Sequence, residues 1–103
     1  MSYILRFTQS YLPAHHKMVL DLEAQFEELE RRNSNFPRGR RYQPLASGEP
    51  NHSLIWESEF PSLAAVQEAL KVIQEDPTHT DLFSKQSPYF TNMRTEIFQT
   101  LEF

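Results

Sequence analysis

The sequence predicts an α+β fold in which two helices pack on one face of an antiparallel sheet, as a two-layer sandwich with the element order β-α-β-β-α-β. Short segments of alternating apolar and polar residues predict the strands, and two amphipathic patterns between them predict the helices. Residues that favour turns separate these segments. With 103 residues, the chain is expected to form one domain spanning residues 1–103.

The first half is predicted to begin with a strand and a long helix. Residues 3–8 have a period of two and are rich in aromatic and branched side chains, which is typical of a strand. Pro13 then fits the first turn of a helix, where a missing N–H costs little. From His15 to Asn33 an apolar stripe predicts a helix, formed by Met18, Val19, Leu22, Phe26 and Leu29. Its solvent-facing residues are expected to be Glu23, Glu27, Glu28, Glu30 and Arg31.

Two strands are predicted in the middle of the chain. Residues 40–45 form the weaker one, because Pro44 lacks an N–H and restricts the segment to an edge or a bulge. Gly48 suits the connection that follows. Residues 53–60 alternate clearly and predict the stronger strand.

The second half continues with a helix and a final strand. Residues 63–75 carry an apolar stripe, and Ser62 is expected to cap the first turn of this helix. Pro77 is expected to end it, with a short further turn within residues 78–85. Alternation over residues 94–103 predicts the last strand.

The parity of the strand residues divides the sheet into two different faces. One set matches the helical stripes and is the expected core: Tyr3, Leu5, Phe7, Leu54, Trp56, Phe60, Ile97, Leu101 and Phe103. The other mixes large apolar residues with charges of both signs: Ile4, Arg6, Thr8, Ile55, Glu57, Glu59, Arg94, Glu96, Phe98 and Glu102. This mixed face is either solvated, with cross-strand ion pairs, or closed against a second copy of the chain.

Composition excludes several classes of function. The net charge of −4 argues against a nucleic-acid partner, which would require a basic surface. The absence of cysteine excludes disulfides and thiolate chemistry. No signal peptide or membrane-spanning segment is apparent, so a soluble cytoplasmic protein without a membrane partner is expected.

Four segments of the second half carry a resemblance to a known superfamily: N-H-S-L-I-W-E-S-E-F-P-S-L-A-A-V at 51–66, E-D-P-T-H at 75–79, S-P-Y at 87–89 and R-T-E-I-F at 94–98. Together they resemble the dimeric α/β-barrel superfamily, and within it the NIPSNAP-like proteins. The resemblance implies a ferredoxin-like protomer. It also implies a homodimer in which two open sheet faces form a barrel, often around a pocket for a small ligand.

The resemblance leaves three functional hypotheses open. The first is a small-ligand-binding homodimer of unassigned function, with no assignable catalytic motif and no cofactor. The second is a cofactorless monooxygenase or isomerase that uses the barrel pocket. The third is a structural or interaction module without a pocket.

His79 is the histidine of greatest interest, either as a loop residue behind a helix or as a proton carrier at the mouth of the barrel. Haem-degrading relatives pair a strand tryptophan and a helix-side histidine with an asparagine on the first strand. Trp56 and His79 resemble two of these residues, but the first strand has no asparagine, which argues against haem degradation. The four histidines lack the spacing of a metal site, so no metal is expected.

The remaining candidates lie on the mixed face. Arg6, Glu57 and Arg94 are predicted, with His79, to line a ligand pocket, where an arginine could hold a carboxylate. The alternative for these charges is an ion-pair ladder or pairing across a dimer interface. The predicted interface residues are Ile4, Ile55 and Phe98.

Overall fold

The computed structural model describes residues 1–103, which form a four-stranded antiparallel sheet with a layer of helices. The strands are β1 (Tyr3–Tyr11), β2 (Arg40–Tyr42), β3 (Ser53–Phe60) and β4 (Phe90–Gln99). The helices are α1 (His16–Arg32), α2 (Leu63–Glu75) and α3 (Pro77–Gln86). The strand order β2-β3-β1-β4 confirms the predicted ferredoxin-like α+β fold. None of the helices has the length and the apolar character needed to cross a membrane.

Local sequence signals determine the positions of the elements that are predicted best. β3 and α2 have the predicted bounds. The hydroxyl of Ser62 accepts a hydrogen bond from the backbone N–H of Ala65 at 3.1 Å, as expected of an N-cap. The edge position predicted from Pro44 is also found, because the short strand β2 pairs only with β3.

The region after α2 differs from the prediction. A helix of 10 residues, α3, replaces the expected short turn. Asp76 starts it, because its carboxylate accepts a hydrogen bond from the backbone N–H of His79 at 2.8 Å, and Pro77 suits the first helical turn. The last strand begins at Phe90 and ends at Gln99, which pairs with Tyr3 at the start of β1. Beyond this pair, the backbone N–H of Thr100 donates to the carbonyl of Ser2 at 2.9 Å, and the strand pairing ends there.

The core lies between the helices and the face of the sheet that they cover, called the covered face. Leu5 and Trp56 pack there with Val66 of α2. Three residues assigned to the core by parity are exposed: Ile97, Leu101 and Phe103. Ile97 lies on the edge strand β4, whereas α2 packs on β1 and β3. The other two follow the end of β4 and have no strand to hold them inward.

Candidate functional site

A cavity of about 580 Å³ lies between the helices and the covered face of the sheet. Its volume is in the range of pockets for small organic ligands. Met93 and Thr95 of the edge strand β4 also line the cavity. Both side chains are exposed, so the cavity opens to solvent at this edge of the sheet. Aromatic rings form most of its apolar wall: Phe7, Phe26, Phe36, Trp56 and Phe83.

Trp56 is the most firmly held of these rings. It stacks on Phe7 with the ring centroids 5.1 Å apart, and its indole N–H donates to a carboxylate oxygen of Glu30 at 3.2 Å. Gly39 approaches the indole so closely that a Cβ there would lie 2.1 Å from the Trp56 ring. The backbone N–H of Gly39 also donates to Glu30, at 3.0 Å. The segment before β2 therefore fixes the tryptophan at the cavity wall.

One end of the cavity is polar and is formed by the Glu23–Arg41–Glu30 cluster. Nε of Arg41 donates to Glu23 at 2.7 Å, while Nη1 and Nη2 donate to the two carboxylate oxygens of Glu30, the first at 3.2 Å. Burial acts to lower the pKa of Arg41, but hydrogen bonds and charges from the two glutamates outweigh it and raise this pKa. All three side chains are largely buried, so the guanidinium stays charged between them.

The expectation that Glu23 and Glu30 face solvent is wrong. Both glutamates are buried on the side of α1 that faces the sheet. Their positions carry a signal, because Glu23, Phe26 and Glu30 are spaced by three and four residues and share one helical face. Arg41 compensates for their burial from β2, where it lies opposite Trp56 on the covered face.

Gln86 adds an unpaired acceptor to the polar end. The side chain is only 1% exposed and lines the cavity. Its carboxamide Nε2 donates to the backbone carbonyl of Val19 at 3.2 Å and to Glu23 at 3.0 Å. These two acceptors fix the orientation of the amide, and its Oε1 accepts no hydrogen bond. The oxygen is therefore available to a ligand that donates.

His79, on α3, also lines the cavity. Its ring lies 4.9 Å from that of Phe26 and 5.9 Å from that of Phe36, measured between centroids. Burial lowers the pKa of His79, and the opposing charges of Asp76 and Glu30 do not cancel this effect. The imidazole is therefore neutral near neutral pH and can accept a proton or a hydrogen bond.

The other predicted pocket residues lie on the open face of the sheet, the face without helices. Arg6 forms an ion pair with Glu57, and its guanidinium carbon lies 4.6 Å from the ring centroid of Phe98. Arg94 borders the cavity, but its guanidinium pairs with two other glutamates, whose hydrogen bonds raise its pKa. The structure therefore separates Arg6 and Glu57 from His79, and a ligand role for these three arginine and glutamate side chains stays a prediction.

The predicted interface residues share the open face. Ile4 and Phe98 are cross-strand neighbours on β1 and β4, and Ile55 lies opposite Thr8 on the neighbouring strand pair. The side chain of Phe98 is exposed. Their contact with a second copy stays a prediction.

Two of the histidines meet away from the cavity. The rings of His16 and His52 lie 5.4 Å apart between centroids, and the Tyr11 hydroxyl lies 2.8 Å from Nδ1 of His16. No group of three or more histidine, aspartate or glutamate side chains in the chain could hold a metal ion.

Comparison with known proteins shows which solved structures share this fold. No family model matches the chain, and no curated protein matches it. A NIPSNAP-family protein from Agrobacterium tumefaciens superposes with a TM-score of 0.78 at 12% identity, covering 100% of this chain and 96% of the other. A NIPSNAP domain protein from Burkholderia xenovorans gives 0.77 at 14%, covering 100% and 97%. A protein from Nitrosomonas europaea assigned to antibiotic biosynthesis monooxygenases gives 0.71 at 10%, covering 97% and 90%. The chain thus has a fold shared by NIPSNAP-like proteins of unassigned function and by proteins of the monooxygenase type.

Proposed function

We propose that the protein binds a small organic molecule in the cavity on the covered face. The main support for this proposal is the cavity itself, which has an aromatic wall and a polar end with an unpaired acceptor on Gln86. Apolar walls with a few fixed polar groups are characteristic of ligand pockets. The wall supplies affinity through apolar burial, and the polar end orients the ligand.

Trp56 provides the test, because it is the single tryptophan of the chain and lines the cavity. Titration with 4-phenylbutanol is expected to change its fluorescence in a saturable way. Thr80→Phe would fill part of the cavity and should weaken binding about 10-fold or more, the effect of about 1.4 kcal/mol. Thr78→Phe is the matched control, since Thr78 is also exposed on α3 but does not line the cavity. No saturable change, or equal binding by both variants, would overturn the proposal.

We also propose that the open face joins two copies into a homodimer. Exposed Phe98 and the neighbouring Ile4 lie there among paired charges, and burial against a second copy would remove their apolar surface from water. Sedimentation is expected to give about twice the chain mass of 12.2 kDa. Phe98→Glu should produce monomers, and Ile97→Glu, on the opposite side of the same strand, should not. A wild-type monomer at micromolar concentration would overturn this arrangement.

A second candidate function is that of a cofactorless monooxygenase or isomerase. The observation in its favour is the neutral imidazole of His79 inside an aromatic cavity, where it could take a proton from a bound substrate. A neighbour in fold is assigned to the monooxygenases. His79→Gln should then abolish turnover of a hydroxylated aromatic substrate, measured as oxygen uptake, while binding of that substrate persists. Binding without turnover by the wild type supports the ligand-binding role.

The proposed location is the cytoplasm. The net charge of −4 and the mostly polar exposed side chains support a protein dissolved in an aqueous compartment. Subcellular fractionation would test it, and recovery in a membrane or secreted fraction would contradict it.

A further inference from the structure

The polar end of the cavity carries an excess of negative charge. Glu23 and Glu30 contribute two carboxylates, and Arg41 contributes one guanidinium, which leaves one negative charge. All three guanidinium nitrogens donate to these carboxylates. A ligand carboxylate placed there would face two like charges. Arg41 is paired with both glutamates, and Arg94, which also borders the cavity, is paired with two other glutamates.

The hydrogen-bonding groups at this end also favour a ligand that donates hydrogen bonds. The indole N–H of Trp56 and the backbone N–H of Gly39 both donate to Glu30 already. Gln86 has both an occupied amide nitrogen and an oxygen without a partner, and the side chain is 1% exposed. Acceptors therefore remain for a ligand, whereas each donor nitrogen at this end, in Arg41, Trp56, Gly39 and Gln86, already makes at least one hydrogen bond.

The wall beside this end is aromatic. Phe26 and Phe36 line the cavity there, with centroids 4.9 and 5.9 Å from that of the His79 ring. The face of an aromatic ring attracts an ammonium group, so such a wall suits a cationic ligand.

We propose that the ligand of this cavity is an organic amine in its ammonium form, bound with its N–H groups toward the Glu23–Arg41–Glu30 cluster and Gln86. Its aromatic or alkyl part lies along the phenylalanine wall. This assignment rests on the proposed function of the cavity and adds the charge class of its ligand. Charge-assisted hydrogen bonds are about twice as strong as neutral ones, so an amine should bind about 10-fold more tightly than the matching alcohol.

Three probes with the same phenyl group and chain test this class: 4-phenylbutylamine, 4-phenylbutanol and 4-phenylbutyrate. At about pH 7 the amine is charged, because its pKa is near that of lysine, about 10.4. Titration followed by Trp56 fluorescence is expected to rank the amine first, the alcohol second and the carboxylate last. Glu23→Gln would neutralise the polar end and should reduce the preference for amine over alcohol to about 2-fold or less. Glu28→Gln, on the outer side of α1, should leave it unchanged.

The outcomes separate this inference from the proposed function. Equal binding of amine and alcohol, or tighter binding of the carboxylate, would overturn the cation assignment while the ligand-binding cavity stands. Failure of all three probes would overturn both. Should Glu23→Gln fail to fold, Gln86→Met removes the free acceptor and is expected to weaken the amine more than the carboxylate. The ranking by the wild type decides the question without either variant.

Discussion

Two arginines on opposite faces of the sheet are each paired with two glutamates, but they differ in burial. Arg41 lies on the covered face, and its side chain is 18% exposed. Arg94 lies on the open face, and its side chain is 39% exposed. Both clusters have the same residue types and the same net charge of −1. In a single protomer, solvent screens the charges of the open cluster, whereas the charges of the covered cluster face the cavity.

The surroundings of each cluster therefore decide what its charged side chains can do. On the covered face the carboxylates are held beside an aromatic wall, and their excess charge reaches a space where a ligand could lie. On the open face, Arg94 pairs with Glu96 of its own strand and with Glu49 of the connection before β3, and this partly exposed set suits a partly polar contact surface.

The largest expected effect comes from removing the arginine of each cluster. Arg41→Met leaves Glu23 and Glu30 buried without their cation, which should lower the free energy of unfolding by about 3 kcal/mol or more. In the monomer, as in a Phe98→Glu background, Arg94→Met should cause only a small fraction of this loss, because solvent reaches its two glutamate partners. Urea denaturation of both variants measures the comparison. Equal losses would show that the two faces do not differ in the way described.

Gly39 tests how tightly the covered face is packed. Gly39→Ala places a methyl group 2.1 Å from the Trp56 ring, which must move, so a loss of about 2–3 kcal/mol is expected. Trp56 fluorescence should shift in the same variant. Gly48→Ala is the control, because nothing lies within 4 Å of its added Cβ, and its effect should stay within about 0.5 kcal/mol. Similar losses for the two variants would argue against a fixed tryptophan.

His79 should give the covered face a dependence on pH. Since burial lowers its pKa in the folded state, the unfolded chain binds more protons as the pH falls through the ordinary value of 6.5. Stability is therefore expected to fall as the pH is lowered from about 7 to about 5.5, above the range where most carboxylates titrate. His79→Phe should flatten this slope in urea denaturation at each pH. An unchanged slope would contradict the neutral, buried imidazole.

Thr8 offers the smallest test, on the open face. Its side chain is 2% exposed, and its hydroxyl oxygen has no hydrogen-bond partner. Thr8→Val keeps the shape and removes the unpaired hydroxyl, so a gain of about 1 kcal/mol is expected from thermal or urea unfolding. Thr100→Val should instead lose stability, since the Thr100 hydroxyl bonds to the backbone of Ser2. A loss in Thr8→Val would point to a partner for this hydroxyl.

The elements that the sequence predicts best are those with local causes. β3 follows from alternation, and the bounds of α2 follow from Ser62 at one end and Pro77 beyond the other. The sequence predicts only a short turn in place of α3, because Asp76-Pro77 indicates the end of α2, whereas the same Asp76 caps the start of α3 in the structure.

The cavity could not be predicted in the same way, because it depends on contacts between distant segments. Glu23 and Glu30 meet Arg41 across 18 and 11 residues of chain. Their burial depends on the position of β2 beside β3. The apolar pattern of α1 gives no information about that position. Of the predicted pocket residues, His79 and Arg94 border the cavity, and His79 does so because the helix that carries it packs on α1.

A crystal structure of the protein with 4-phenylbutylamine tests the central claim most directly. We expect the ligand on the covered face, with its nitrogen within about 3.5 Å of a carboxylate oxygen of Glu23 or Glu30 or of Oε1 of Gln86. Its phenyl ring should lie against the wall formed by Phe26 and Phe36. Ligand density on the open face, or between two copies, with an empty cavity would contradict the account.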